Sequence, residues 1–407
     1  MVLSELTDIL SATQIDDLGR PAEYQTLFHQ TRQHFSRYFL GYAVSHCSDW
    51  EWLEVEQVNL LAATQYCWDT DDYNNLLAFR DVLQLYLDRQ GHWTDSLRLN
   101  EWAIAAAHAL GDRINATRFT HDRADILHQR GEYHQAERLY QACEQSYLHL
   151  GEKDMALRSR HMRALVLRAQ GQLKIAERLC EATITEARER GLHSWLAHPL
   201  YVRALLARDR GDFQQARLCI EESLDRLTDS DELAMIAQCH HFLGELALLQ
   251  RCLAEARVQV EKSLRLSRSV GILRRVAATQ RLLGDVASAE GDYDEANDLY
   301  RAAFEITAQL GDQPQQARIL LSQAQLAASL NYGQKAIGLL QSDLAIYQKV
   351  GDPRGIITTS LLLARLYYRQ REFSLALHHG STALRTLWKA KLLQPRVLGG
   401  IMRRRGN

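Results

Sequence analysis

The chain has 407 residues, with 48 Lys plus Arg against 50 Asp plus Glu and a formal net charge of −2, a balance that argues against a globally basic nucleic-acid binder and against an acidic disordered chain. Five prolines, a 46% hydrophobic share and 24% charged residues fit a long, soluble, helix-rich protein and exclude collagen-like and proline-rich classes. There is no run of about 18 apolar residues, and Met1 to Ile15 lacks a basic stretch followed by an apolar one, so a cytoplasmic location with no membrane span is expected. Seven cysteines without a CxxC pair read as reduced thiols in a helical core rather than as disulfides or zinc ligands.

In chain order, residues 22 to 46 and 51 to 67 read as helices, with Ser48 or Asp49 as N-cap of the second. They are expected to form an N-terminal helical cap over residues 1–72, or a degenerate extra hairpin. Trp50, Trp52, Trp68, Trp93 and Trp102 cluster in this part of the sequence and read as a core that closes the end of a repeat stack, in preference to a ligand cage.

From residue 73 to 390 the sequence repeats itself every 40 residues, the kind of period that decides a fold. Gly91, Gly131, Gly171, Gly211 and Gly291 share one ladder with Arg251, Asn331 and Arg371, and five residues after each stands a small side chain, from Ser96 and Ala136 to Ala336 and Ala376. A second ladder, twenty residues out of phase, runs Gly111, Gly151, Gly191, Gly271, Gly311 and Gly351 and is broken at Asp231. A third, of small residues, runs Ala124, Ala164, Ala204, Gly244, Gly284, Ala324 and Ala364. Glycine every twenty residues, with apolar residues three and four apart between, describes helices that stop at a residue able to take positive φ. Each unit is therefore a helical hairpin. Between Arg113 and Glu152, helix A is predicted from about Ile114 to Gln129 and helix B from about His134 to Leu150, each roughly 24 Å long at 1.5 Å per residue. Ala124 and Ala136 mark the close approach of the two backbones, and Tyr133 and its equivalents are expected to pack into the next hairpin.

The small residue in helix A, the G-x-aromatic turn, the alanine three residues later and a further small residue seven after that (Cys143, Thr183, Ser223, Ser263, Ala303, Ala383) resemble the tetratricopeptide repeat in a 40-residue form. Asp343 departs from the pattern at the last position, and Arg251, Asn331 and Arg371 make weak turns. The LGD and LGE endings at Leu110 to Asp112, Leu150 to Glu152 and Leu310 to Asp312, with Glu54, Glu56, Asn59, Leu60, Ala62 and Ala63 ahead of them, are similar to the repeat arm of signal-transducing NTPases with an NB-ARC-like core. The resemblance implies an all-α right-handed α-solenoid of about eight hairpins plus the N-terminal cap. It also implies a sensor arm without its engine, because no GxxxxGK[ST] phosphate cradle occurs. HExxH, GxSxG and the kinase motifs are absent as well, so a non-catalytic protein-interaction scaffold or regulatory sensor with no cofactor is expected.

In tetratricopeptide proteins helix A lines the inner surface, where a peptide or helix is held. Carrying those positions over implies a partner-binding set of Arg118, His121, Arg158, His161, Arg168, Tyr201, Arg208, His241, Arg281, Arg318 and Arg365, with His128, His198, Tyr368 and Arg369 nearby in register. Acidic members are fewer: Asp125, Asp209, Glu245 and Asp285. Stacked arginines suit carboxylates or phosphates, so the expected partner is a protein or peptide, acidic or phosphorylated, with a separate NTPase or regulator among the candidates. The competing reading is that the arginines pair with acids of neighbouring helices. His121, Asp125 and His128 share one helix face and could hold a metal, but read better as ordinary helix residues. After Glu372 the chain carries seven cations and no acid, and Pro395 with Gly399 and Gly400 argues for a flexible basic tail over 391–407. An alternative function follows from that charge: a regulator that responds to a small molecule or touches nucleic acid through the arginine strip and the tail, with a steep dependence on salt.

Overall fold

The computed structural model describes residues 21–47, 49–193, 195–227 and 231–389. Among the described residues there are nineteen helices and no strand, as an α-solenoid requires, and none of these helices is long and apolar enough to cross a membrane. The expected basic tail lies outside the described residues. The chain divides into two compact units, one of Met1–Leu87 with Thr94–Ala116 and one of Asp88–Trp93 with Thr117–Asn407.

The first unit holds α1 (Pro21–Ser45), α2 (Trp50–Val55), α3 (Gln57–Asp69), α4 (Tyr73–Gln90) and α5 (Trp93–Ala109). Phe39, Leu53, Leu60, Phe79 and Leu99 share its core, with Trp50, Trp68 and Trp102 packed against it. Trp68 and Trp102 stack at 6.0 Å, which fits the expected aromatic closing core, whereas Trp52 is exposed. The helix expected over 51 to 67 is two helices, broken where Glu56 leaves helical geometry at φ −102° and ψ 10°. Asp49 occupies the N-cap position in extended geometry, but its side chain accepts no capping hydrogen bond.

The second unit stacks seven hairpins: α6 (Arg113–Gln129) with α7 (Tyr133–Leu150), α8 (Lys153–Ala169) with α9 (Leu173–Glu189), α10 (Ala197–Asp209) with α11 (Phe213–Asp225), α12 (Leu233–Leu249) with α13 (Leu253–Val270), α14 (Leu273–Glu290) with α15 (Tyr293–Gln309), α16 (Gln313–Ser329) with α17 (Gly333–Val350), and α18 (Pro353–Arg369) with α19 (Phe373–Lys389). The turns end as the glycine ladders predict. At Gly151, φ is 82°, and the amides of Gly151 and Glu152 reach back to the carbonyls of Leu148 and Tyr147, closing a Schellman motif. Aspartates then start several of the next helices: Asp212, Asp292 and Asp312 each accept the backbone N–H three residues on, at 3.0 Å. Arg251, Asn331 and Arg371 adopt the same left-handed geometry (φ 64°, 64° and 65°) without glycine's freedom, and Asp71 (φ 55°) carries the ladder one step further toward the N-terminus. One register shift occurs: α10 begins at Ala197, after a turn that follows Gly191, rather than at 193.

The third ladder marks the contact between paired helices. A Cβ on Gly244 would run into Val260 and lie 3.3 Å from the carbonyl of Ala256, and Ala124, Ala136 and Ala296 are fully buried. A buried donor on the second helix ties it to the first in three hairpins: Ser223 to the carbonyl of Ala197 (3.0 Å), Ser263 to that of Ala237 (2.7 Å) and Cys143 to that of Thr117 (3.6 Å). Five of the seven cysteines are buried free thiols as expected, while Cys47 and Cys252 are exposed. The expectation for Tyr133 and its equivalents holds at some positions and not at others. Tyr133 is buried, with its ring 5.9 Å from that of His128, and Leu173 and Phe213 pack against clusters that include residues of the following hairpin, whereas Tyr293 and Phe373 are exposed.

First helices also touch first helices of the following hairpin, α8 with α10, α10 with α12, α12 with α14 and α14 with α16. Elements on the inside of a bend come closest together, so these helices line the inner side of the second unit. A small rotation per repeat accumulates, and the stack meets itself. The turn at Gly131 lies against Pro314 and Val350, leaving no room for a Cβ, and Arg354 of α18 pairs with Asp209 of α10. Contacts between non-neighbouring hairpins thus partly enclose the inner surface of this unit.

Candidate functional site

The inner face of the second unit joins Arg168 and Arg208 of the expected set in one polar network. Its hub is Asp209 at the end of α10, whose carboxylate accepts from Arg168 Nε at 2.7 Å, from Arg208 Nη2 at 3.1 Å and from Arg354 Nη1. Burial opposes ionisation there, but the three guanidinium groups prevail and hold its pKa at about 2. Arg208 also donates to Glu245 at 2.5 Å and lies 5.5 Å over the Phe242 ring, against which Tyr201 packs edge-on. Arg281 donates to Asp285 of its own helix and reaches Ser322 at 3.4 Å. Arg274, absent from the expected set, donates to the buried cap Asp312 at 2.5 Å. For Arg168, Arg208 and Arg281, pairing with acids is therefore what the structure holds.

His128, His161 and His241 add no charge at neutral pH. His161 sits edge-on to Trp195 (5.8 Å) and beside His198, and its Nδ1 is buried without a hydrogen-bond partner among the described residues. Burial, helped by His198 and Arg158, pushes its pKa down to about 3. Burial likewise takes His241 to about 3 against the opposing pull of Glu245, and takes His128 to about 4 with Arg274 close by. His241 Nδ1 is within 3.3 Å of the Thr279 hydroxyl. The positive character of the surface is thus an arginine property.

Three expected residues stand apart from this neutralised network. Arg158 on α8, Arg318 on α16 and Arg365 on α18 are exposed and have no hydrogen bond or ion pair among the described residues. Arg318 nevertheless has Tyr133, Tyr347, Asp352 and Glu245 close enough to raise its pKa. Arg118 is half-buried, partnered, and lies over the ring of Phe119 at 4.8 Å. Arg365 makes none of the contacts that join the others.

The suggested metal set is not the one the fold gathers. His121, Asp122 and Asp125 place ligand atoms within 4.8 Å of one another, while His128 turns to Tyr133. Asp125 is already engaged: His121 Nδ1 lies 3.6 Å from its Oδ2 and the Tyr140 hydroxyl donates to its Oδ1 at 2.5 Å. Burial raises the pKa of Asp125, but these partners and Arg158 hold it below the usual range. The same Tyr-to-Asp bond recurs one hundred and sixty residues on, from Tyr300 to Asp285 at 2.8 Å, which marks it as a device of the fold rather than of a metal site.

Residues 233–309 match the tetratricopeptide repeat family model. No curated protein matches the sequence. Among solved structures, a Rap protein complexed with Competence and Sporulation Factor is similar in fold, with a TM-score of 0.60, 14% identity, and coverage of 88% of this chain and 98% of that one. The Rap conjugation gene regulator of plasmid pLS20, in complex with the Phr* peptide, gives 0.59, 14% identity, and coverage of 82% and 95%. A signal transduction ATPase with numerous domains and a tetratricopeptide repeat sensor, from Pyrococcus horikoshii, superposes at 0.46 with 13% identity, over 87% of this chain and 54% of that one.

Proposed function

We propose that this chain is a non-catalytic regulator whose inner surface takes a partner peptide or helix bearing acidic or phosphorylated side chains. The observation that carries the reading is the pair Arg158 and Arg318, guanidinium groups on inner helices that remain exposed and unpaired while their neighbours are neutralised. A planar fork with free donors matches a carboxylate or phosphate, and such charge-assisted bonds are the strong ones. The two Rap proteins of similar fold are each seen in complex with another molecule, one of them a peptide. At 14% identity that likeness speaks for the fold, and peptide binding is brought to this chain as part of the proposal. The mixed lining, with Asp125, Asp209, Glu245 and Asp285 among the arginines, suits a peptide better than a phosphodiester backbone.

The test is fluorescence anisotropy with labelled Glu-rich, phosphoserine and Lys-rich peptides. The first two are expected to bind and the third not, and Arg158→Ala with Arg318→Ala should weaken binding by about tenfold or more, the value of a charge-assisted hydrogen bond. Equal affinity of the double variant and the native chain refutes the reading. A steep log-log dependence on salt with a single-stranded oligonucleotide, in place of peptide binding, supports the nucleic-acid alternative.

A further inference from the structure

In a stack of hairpins, the second helix of each unit buries an apolar row beneath the first helix of the next. One position shows this along the second unit. Ile184, Leu264 and Leu344 are all buried, clustered respectively with Leu200 of α10, Val276 of α14 and Leu363 of α18. The seat is built for an α-helix, since an α-helix fills it in each case.

In α19 the equivalent residue is Leu384, and it is 62% exposed. It lies in a row: Phe373, Leu377, Leu384 and Trp388 fall within about 60° of one another on an ideal helix of 3.6 residues per turn, and the other three are 56%, 74% and 75% exposed. Tyr368 extends the row onto α18, its ring edge-on to Phe373 at 5.6 Å and itself exposed. Scattered exposed apolar residues need no explanation, but a contiguous row of this size does.

The charge around the row selects its occupant. Between Pro353 and Lys389 the sequence has six cations and one acid, Glu372. Arg365, Arg369, Arg371, Arg385 and Lys389 are exposed, whereas Arg354 is taken by Asp209. A second copy of this face would bring two strongly basic surfaces together. The residues after Lys389 are no better suited, with five Lys or Arg and no acid. We infer that this face docks an acidic amphipathic helix of a partner protein, which continues the stack by supplying the apolar row that the next first helix supplies elsewhere. The inference is independent of the inner surface, and its variants leave Arg158 and Arg318 untouched.

Two labelled helical peptides test it on the full chain, both with Leu at i, i+3, i+4 and i+7, one carrying Glu and the other Lys at the remaining positions. The Glu peptide is expected to bind and to weaken with salt, the Lys peptide to bind at least tenfold more weakly, and Leu377→Asp with Leu384→Asp to abolish Glu-peptide binding. Both substitutions are at exposed positions, and an unchanged circular dichroism melt will show that the fold is kept. The inference is overturned if the two peptides bind alike, if neither binds, or if the double variant binds the Glu peptide as the native chain does. It is also overturned if sedimentation shows a concentration-dependent dimer that Leu384→Asp dissolves, since a second copy then holds the seat.

Discussion

Replacing Asp343 by serine should make the protein more stable above neutral pH. Asp343 stands on α17 at the register position held by Cys143, Ser223 and Ser263, and it is fully buried. Its Oδ2 accepts from the Thr359 hydroxyl at 2.5 Å, while Oδ1 has no partner among the described residues. Burial, with Asp352 adding to it and the Thr359 bond offsetting part, pushes its pKa from 3.8 up to about 7. A rise of about three units at ~1.4 kcal/mol each puts the cost of the ionised form at about 4 kcal/mol. The sign follows from proton uptake: between about pH 4 and pH 7 the native state holds a proton that the unfolded chain has lost, so this contribution falls as pH rises and is fully adverse above pH 7. Serine has a precedent in the hairpin one step earlier but one, where Ser263 donates to the carbonyl of Ala237 and lies 3.5 Å from the Thr279 hydroxyl, in register with Thr359. Thermal melts of the native chain and Asp343→Ser from pH 5 to pH 8 should diverge as pH rises, the variant becoming the more stable. Because repeat stacks need not unfold in one step, hydrogen exchange of the α17 and α18 amides should accompany the melts. Parallel melting curves across that range, or a variant less stable at pH 8, would refute the reasoning.

Arg208→Ala strands Glu245 and part of the Asp209 charge in a buried network, so it should cost about 3 to 5 kcal/mol, whereas Arg158→Ala should change stability by about 0.5 kcal/mol or less; denaturant midpoints compare the two. Arg251→Gly relieves a left-handed residue (φ 64°) and should gain up to about 1 kcal/mol, part of the relief being lost to glycine's unfolded-state entropy; a lower melting temperature would contradict it. His128, His161 and His241 are held neutral, at about 4, 3 and 3, against 6.5 for the unfolded chain. The unfolded state therefore takes up protons first, and stability should be lost as pH falls from about 6.5 toward 4. His241→Gln should flatten that acid slope in the melting temperature.

The hairpins were legible in the sequence because a helical hairpin is a local object. Turn glycines, the small residues at the crossing and the apolar rows all recur within 40 residues, so one chain displays the pattern eight times. What stayed illegible depends on neighbours or on the whole stack. Arg251, Asn331 and Arg371 read as weak turns, yet the helices on either side impose on them the geometry of the glycines. Tyr133 lies near Asp352 and Arg318, and Arg354 reaches Asp209, contacts that exist because rotation accumulated over several repeats brings distant hairpins back together. No spacing rule within one hairpin contains that. The neutral state of His161 and His241 was equally hidden, since burial decides it.

The division of the inner arginines into paired and free was nonetheless written in the sequence, one repeat away from where a single-helix reading looks for it. Arg168 pairs with Asp209 at a separation of 41, Arg208 with Glu245 at 37, and Arg217, Arg257 and Arg274 with Glu255, Glu295 and Asp312 at 38. Arg281 finds its acid four residues on, at Asp285. Arg158 faces Trp195 to Pro199 at those longer separations and Met162 at four, and Arg318 faces Gly355 to Thr359 and Ser322, none of them acidic. Within the expected partner-binding set, Arg158 and Arg318 are free because neither register supplies a carboxylate, whereas Arg354, outside that set, finds Asp209 only through a contact at a separation of 145. Thr358, forty residues after Arg318, is exposed. Thr358→Glu should then capture Arg318, contributing about 1 kcal/mol or less to stability, as a solvent-accessible pair does. It should also weaken acidic-peptide binding as much as Arg318→Ala does. Full peptide affinity in Thr358→Glu would mean either that the pair does not form or that Arg318 never held the ligand, and a double-mutant cycle with Arg318→Ala separates the two, because a coupling energy of zero leaves only the first.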